Sequence, residues 1–172
     1  MVKNDRWIRG FGDAGGISPF NPDQVNSASY DVVLGNSWLV PSTNEIFSIP
    51  NAYPQFFIFN LEKYILQPGA VVLATTLEFV KMPRNVCCDL KLKSTIGRSF
   101  INHTLAGFVD PGFQGQITLE LHNIGPNPYT LRHKDRIAQL VFLGMEEPAE
   151  CAYGEKNTDK YQNQLGATAP KV

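Results

Sequence analysis

Asp110-Pro111-Gly112-Phe113-Gln114-Gly115-Gln116-Ile117-Thr118-Leu119-Glu120-Leu121-His122 reads as a turn that runs into a strand. Asp-Pro-Gly is turn chemistry: proline presets φ and glycine accepts a positive one. Behind the turn, Ile117, Leu119 and Leu121 alternate with Thr118, Glu120 and His122, the period of two of a half-buried strand. Val86–Leu92 alternates in the same way, with Val86, Cys88, Leu90 and Leu92 set against Cys87, Asp89 and Lys91. Ala70–Val80 reads as a strand, and Ile137–Leu143 as a further apolar one. Gln67-Pro68-Gly69 and Gly125-Pro126-Asn127-Pro128 are turn signals between them. Many short strands at close spacing predict a closed or sandwiched all-β domain of jelly-roll type. Two helical pieces are expected. One lies around Lys3–Arg9; the other begins at Ser94, where a Ser-Thr pair is placed to cap the first turn. The last twenty or so residues lose the alternation and read as an arm.

Length and charge narrow the function classes. At 172 residues the chain is expected to be one domain with a substantial core. Fifteen basic against sixteen acidic residues give a net charge of −1, so no global field draws it to nucleic acid or anionic lipid. Phosphate recognition would have to be local. Three cysteines, Cys87, Cys88 and Cys151, are an odd number with an adjacent pair, which predicts buried or inert thiols in a reducing compartment. The charged N-terminus leads into no apolar segment and no apolar run approaches a membrane span, so a soluble, cytoplasmic protein is expected.

Chemistry concentrates between Lys93 and Glu120. Ser94 and Arg98 are four apart and share one face of a helical turn, and Lys93 stands just before it. Taken singly these are ordinary: a capping serine, a surface arginine, an outward glutamate, a turn-forming Asp110. Trp7 and the run Phe56-Phe57-Ile58-Phe59 read as core or subunit-interface residues. No lysine or arginine interleaves that aromatic run, which argues against a nucleic-acid stacking platform. His103, His122 and His133 are followed two residues later by Leu105, Ile124 and Asp135, and no Pro-Cys-x-x-Cys occurs. The metal motif of zinc-dependent nucleobase deaminases is therefore missing.

In their order along the chain, the motifs resemble the dCTP deaminase branch of the dUTPase-like superfamily. Lys93-Ser94-Thr95-Ile96-Gly97-Arg98 is similar to that family's K-S-S-L-G-R segment. His103-Thr104-Leu105-Ala106-Gly107-Phe108-Val109-Asp110-Pro111-Gly112-Phe113 is similar to H-x-T-A-G-F-I-D-P-G-F, and Gln116–Asn123 to the I-T-L-E-L-x-N strand. Ser27-Ala28-Ser29-Tyr30-Asp31-Val32-Val33-Leu34-Gly35 and Arg136-Ile137-Ala138-Gln139-Leu140 match its first and penultimate motifs. Tyr153-Gly154 and Lys160–Gly166 match its tail.

The resemblance implies a distorted jelly-roll β-barrel, a homotrimer, and one domain over 1–172 whose residues from about 152 form an arm closing over the nucleotide. It implies hydrolytic, zinc-independent deamination of dCTP to dUTP and ammonia, with magnesium carried by the triphosphate. Glu120 would be the general base. Ser94 and Arg98 would orient the water and the base, and Ala106 would anchor the water. Asp110 would accept from the sugar 3′-hydroxyl, while Thr118 and Leu119 would meet the pyrimidine edge. Lys93, Ser94, Thr95, Gln139, Tyr153, Lys160 and Gln164 would hold phosphates, with Ile96 and Gly97 completing the segment around them. The ligands implied are dCTP and, further, dUTP and dTTP; neither nucleic acid nor membrane is.

The chain departs from the pattern at four places. Thr95 replaces a serine, Leu105 stands where a threonine is usual, Ala138 takes the place of the glycine in R-I-G-Q-L, and Arg98-Ser99-Phe100 is one residue short of the expected R-L-G-L. Alternative readings are the bifunctional deaminase that releases dUMP and pyrophosphate, a plain dUTPase, or a non-catalytic nucleotide-binding regulator. The small residues at Ala106-Gly107 lean toward the dUMP-forming type.

Overall fold

The computed structural model describes residues 1–42, 55–103 and 107–171. Among these, the order is α1 (Asp5–Asp13), β1 (Ile17–Ser18), β2 (Tyr30–Val33), β3 (Ser37–Pro41), β4 (Phe56–Asn60), β5 (Lys63–Leu66), β6 (Val71–Lys81) and β7 (Val86–Leu92). Then come α2 (Ser94–Arg98), β8 (Ile101–His103), β9 (Phe108–Val109), β10 (Gln114–Asn123), β11 (Tyr129–Arg132) and β12 (Arg136–Gly144). The predominantly β architecture agrees with the sequence reading.

Strand β10 lies inside the larger sheet, ordered β4-β3-β6-β10-β8, with β1 also on β6. A second sheet runs β2-β12-β7-β9, and β11 pairs with β5. Ile117, Leu119 and Leu121 of β10 are buried in one cluster with Val72 and Ala74 of β6, Leu90 of β7, and Leu140 and Phe142 of β12. The cluster thus ties both larger sheets together. Each of these side chains larger than alanine contributes on the order of 1.5–3 kcal/mol when fully buried. The alternate residues of β10, Thr118, Glu120 and His122, are only partly covered.

The register of β10 on β6 slips between Gln116↔Phe79 and Thr118↔Thr75. Thr76 fills the irregularity: its hydroxyl accepts from Ile117 N at 2.9 Å and donates to Glu78 O at 2.8 Å. The backbone groups freed by the bulge are therefore not left bare.

Helix α1 starts on Asn4, whose Oδ1 accepts from Trp7 N, and runs beyond the expected Arg9 to Asp13. Trp7 stacks on Phe11 at 4.9 Å and leans on Phe142, so it packs against the core as expected. At α2 the capping expectation fails. Lys93 occupies the N-cap position with no side-chain hydrogen bond, so Ser94 is already the first helical residue. The helix ends where Phe100 takes a left-handed φ of 62° and donates its N–H to Gly97 O.

Phe57, Ile58 and Phe59 are exposed on β4, an edge strand of its sheet, so of the two expected readings, core or subunit interface, the described residues exclude only the core. Cys88 is buried, and burial pushes its thiol well above the ordinary range, but Cys151 is exposed. All three thiols are free. No described helix is long and apolar enough to cross a membrane. From Ala152 to Lys171 the chain has neither helix nor strand and is held by hydrogen bonds to β10.

Candidate active site

Glu120 sits on β10 where β8 runs alongside, Leu121 being paired with His103. His103 Nδ1 lies 3.5 Å from Glu120 Oε2; the side chains are 9% and 30% exposed. The glutamate is thus neither solvated nor sealed, and a group able to carry a proton stands beside it. Gly107 makes this closeness possible. A Cβ there would come within 2.8 Å of Leu90 O and 2.9 Å of His103 Nε2. His103 and Gly107 line a small cleft of about 210 Å³ with Asp89, Leu90 and Asn102.

Asp110 opens into a different, larger cleft of about 500 Å³, shared with Tyr153, Phe108, Cys87 and Cys151. Burial holds the Asp110 carboxyl above its ordinary range, Asp159 pushes the same way, and Lys156 opposes. Tyr153 is tied to the arm, its hydroxyl accepting from Tyr161 N at 2.9 Å.

A third group gathers on β2 and β12. Lys93 Nζ meets Asp31 Oδ2 at 2.5 Å, and Arg136 Nη1 meets the same oxygen at 3.5 Å. Asn26 Nδ2 donates to Asp31 Oδ1 at 2.9 Å. Beside them Ser29 Oγ donates to Gln139 Oε1 at 3.0 Å.

The arm covers the start of β10. Gln164 Nε2 donates to Gln116 O at 2.7 Å, Gly166 N to Gln116 Oε1 at 2.6 Å, and Thr168 N to Thr118 Oγ1 at 3.1 Å. Gln164 Oε1 is buried with no hydrogen-bond partner among the described residues. An acceptor left so costs about 1–3 kcal/mol, which a bound donor would recover. Lys160 Nζ meanwhile donates to Lys171 O at 3.0 Å.

Of the residues expected in a site, Glu120 and His103 are together, Asp110 and Tyr153 are together, Lys93 and Gln139 share one region, and Thr118 and Gln164 share another. Ser94, Thr95, Gly97 and Arg98 are exposed on α2, which packs on β8, while Ile96 and Leu119 are buried. Ala106 lies outside the described residues. Among the described residues the two clefts share no lining residue. Asp31, Arg136 and Ser29 stand in the recognised motifs, but nothing in their spacing marked them as partners.

The fold places the protein among dUTPase-like domains. It superposes on 2'-deoxycytidine 5'-triphosphate deaminase from Agrobacterium tumefaciens with a TM-score of 0.66 at 20% identity, over 82% of this chain and 47% of that one. The dCTP deaminase-like family model matches residues 3–145. Among curated relatives, the dUMP-forming dCTP deaminase of Corynebacterium kroppenstedtii is 38% identical over all of this chain and 97% of its own length. That of Mycobacterium sp. (strain KMS) is 40% identical over 98% and 94%. The chain belongs to the dCTP deaminase-like family and is a hydrolase.

Proposed function

We propose that the protein deaminates dCTP without zinc and carries the nucleotide on to dUMP and pyrophosphate. The observation that supports this best is Glu120, half-covered on β10 with His103 3.5 Å away. A general base must sit within reach of a water while keeping a route for its proton. In this reading water adds to C4 of cytosine as Glu120 takes its proton. Glu120 passes that proton to N3 and then carries the 4-hydroxyl proton to N4, so that the C4–N4 bond breaks, ammonia leaves and C4=O forms. Ser94 and Arg98 orient the water and stabilise charge on the tetrahedral centre. A second water attacks the α-phosphorus and displaces pyrophosphate.

Sequence resemblance alone put dUTP first as the product. The relatives matched over nearly their whole length are dUMP-forming dCTP deaminases, which favours dUMP. Gly107 supports the same choice, since its missing side chain keeps the space beside His103 open.

The separate clefts support a homotrimer in which neighbouring protomers complete each site, with the exposed apolar edge of β4 available for packing. Asp110 then holds the sugar hydroxyl, Thr118 and Leu119 the pyrimidine edge, and Lys93, Thr95, Gln139, Tyr153, Lys160 and Gln164 the phosphates. Magnesium would come with the triphosphate and would offset phosphate charge there. Among the described residues no three His, Cys, Asp or Glu stand together to hold it independently.

Incubating the purified protein with dCTP and magnesium, with dTTP added in a parallel reaction, and resolving products by anion exchange tests this reading. Direct release of dUMP, pyrophosphate and ammonia is expected. Accumulating dUTP would restore the one-step deaminase, and cleavage of dUTP without attack on dCTP would leave a dUTPase.

A further inference from the structure

Strand β12 does not keep the plain alternation that its sequence suggests. Arg136 pairs with Val33 and Gln139 with Asp31, while Ala138 pairs with Val32. Three steps along β12 therefore match two along β2, and the extra residue is a bulge at Ile137–Ala138, both of which are buried. A bulge re-aims the side chains on either side of it. Here it brings Arg136 and Gln139, which strict alternation would put on opposite faces, to the face of Asp31. Ile137 also accepts Lys93 N at 3.1 Å, so the same irregularity anchors the backbone of Lys93.

The result is one buried carboxylate beneath two cations. Asp31 is 1% exposed, whereas Lys93 is 29% and Arg136 47% exposed. Lys93 makes the short contact, and Arg136, at 3.5 Å, keeps most of its five donors for another anion. Ser29 fixes the Gln139 amide through its oxygen, leaving the NH₂ end to donate. Taking two neighbouring cations to one place without a counter-ion costs Coulomb repulsion; the buried Asp31 offsets it.

We propose that Arg136 is a further phosphate-binding residue and that Asp31 positions it together with Lys93, making a preassembled polyphosphate clamp. The proposal rests on the reading of the protein as a nucleoside-triphosphate hydrolase, and it adds two residues to which no role had been given.

Calorimetric titration of the full-length protein with inorganic tripolyphosphate, alongside steady-state dCTP kinetics, tests it. Arg136→Gln should weaken tripolyphosphate binding and raise KM for dCTP by about tenfold or more, with kcat changed by less than about threefold. Arg136→Lys should recover part of both losses. Asp31→Asn should reproduce the KM effect, and should it fail to fold, the exposed Arg136 variants still decide. Unchanged tripolyphosphate affinity in Arg136→Gln would overturn the proposal. So would tighter binding in Asp31→Asn, which would make the carboxylate a competitor of phosphate. A wild-type protein that binds tripolyphosphate yet leaves dCTP intact would instead sink the deaminase reading and spare the clamp.

Discussion

His103 Nδ1 faces Glu120 Oε2 at 3.5 Å across the β8–β10 pairing, and that nitrogen has no hydrogen-bond partner among the described residues. The distance is longer than an ordinary hydrogen bond, so the pair has room to tighten when a substrate arrives. If Glu120 is the base, Glu120→Gln keeps the shape and removes the proton acceptor. Deamination should fall by roughly 10²–10⁴, with nucleotide affinity little changed. Ammonia release and equilibrium binding, measured on the same preparation, check it; turnover near the wild-type rate would remove Glu120 from that role.

Gly107 is the neighbour that lets His103 stay where it is. Gly107→Ala puts a methyl against a backbone carbonyl at 2.8 Å, and that carbonyl, Leu90 O, belongs to a strand that cannot easily move. Overpacking of this kind costs about 1–3 kcal/mol. The other contact, His103 Nε2, is a side chain that can swing away. The expected outcome is therefore a modest drop in melting temperature and a larger loss of kcat, read from thermal melts and dCTP turnover.

Phe100 explains the shortened segment after Arg98. The family pattern R-L-G-L offers a glycine there, whereas this chain turns from α2 into β8 with a phenylalanine at φ 62°. The left-handed region costs a non-glycine residue about 1–2 kcal/mol, and the ring, 56% exposed, regains little by burial. Phe100→Gly should raise stability by about 1 kcal/mol, or roughly 2–4 °C in Tm for a chain of this size. A lower Tm would mean that the packing of the ring beside Gly125 and the added freedom of glycine in the unfolded chain outweigh the relief of backbone strain.

Legibility of the fold followed the alternation. Strand β7 has the bounds that the pattern predicts, Val86–Leu92, and β10 and β12 extend by one or two residues. Phe56–Phe59 has no alternation, so nothing in it distinguished a core strand from an exposed edge. At the site, Glu120 and Asp110 stood out only through motif order. The cluster on Asp31 was hidden because it depends on a bulge, and a bulge at Ile137–Ala138 looks in sequence like two more apolar residues of an uninterrupted strand. His103 and Glu120 are seventeen residues apart and meet only through the register of β8 on β10.

Glu78 gives the fold a pH dependence of unusual sign. Its buried carboxyl accepts from Val33 N at 3.0 Å and from Gln24 Nε2 at 2.8 Å. Burial nevertheless outweighs those bonds and raises its pKa above the ordinary 4.5. The folded protein then holds this proton more tightly than the unfolded chain. Stability is greatest below 4.5 for this group and declines as pH rises toward the raised value, after which it levels off. Other carboxylates act the opposite way; Glu155, for example, is held below its ordinary range by its bond from Ala152 N and by Arg84. The comparison that isolates Glu78 is the slope of unfolding free energy against pH in wild type and in Glu78→Gln, from urea titrations starting near pH 4.5. The variant should lack the decline above that pH whatever its absolute stability, since glutamine has no proton to lose. Parallel slopes would mean that the carboxyl already ionises in the folded state as readily as in the unfolded chain.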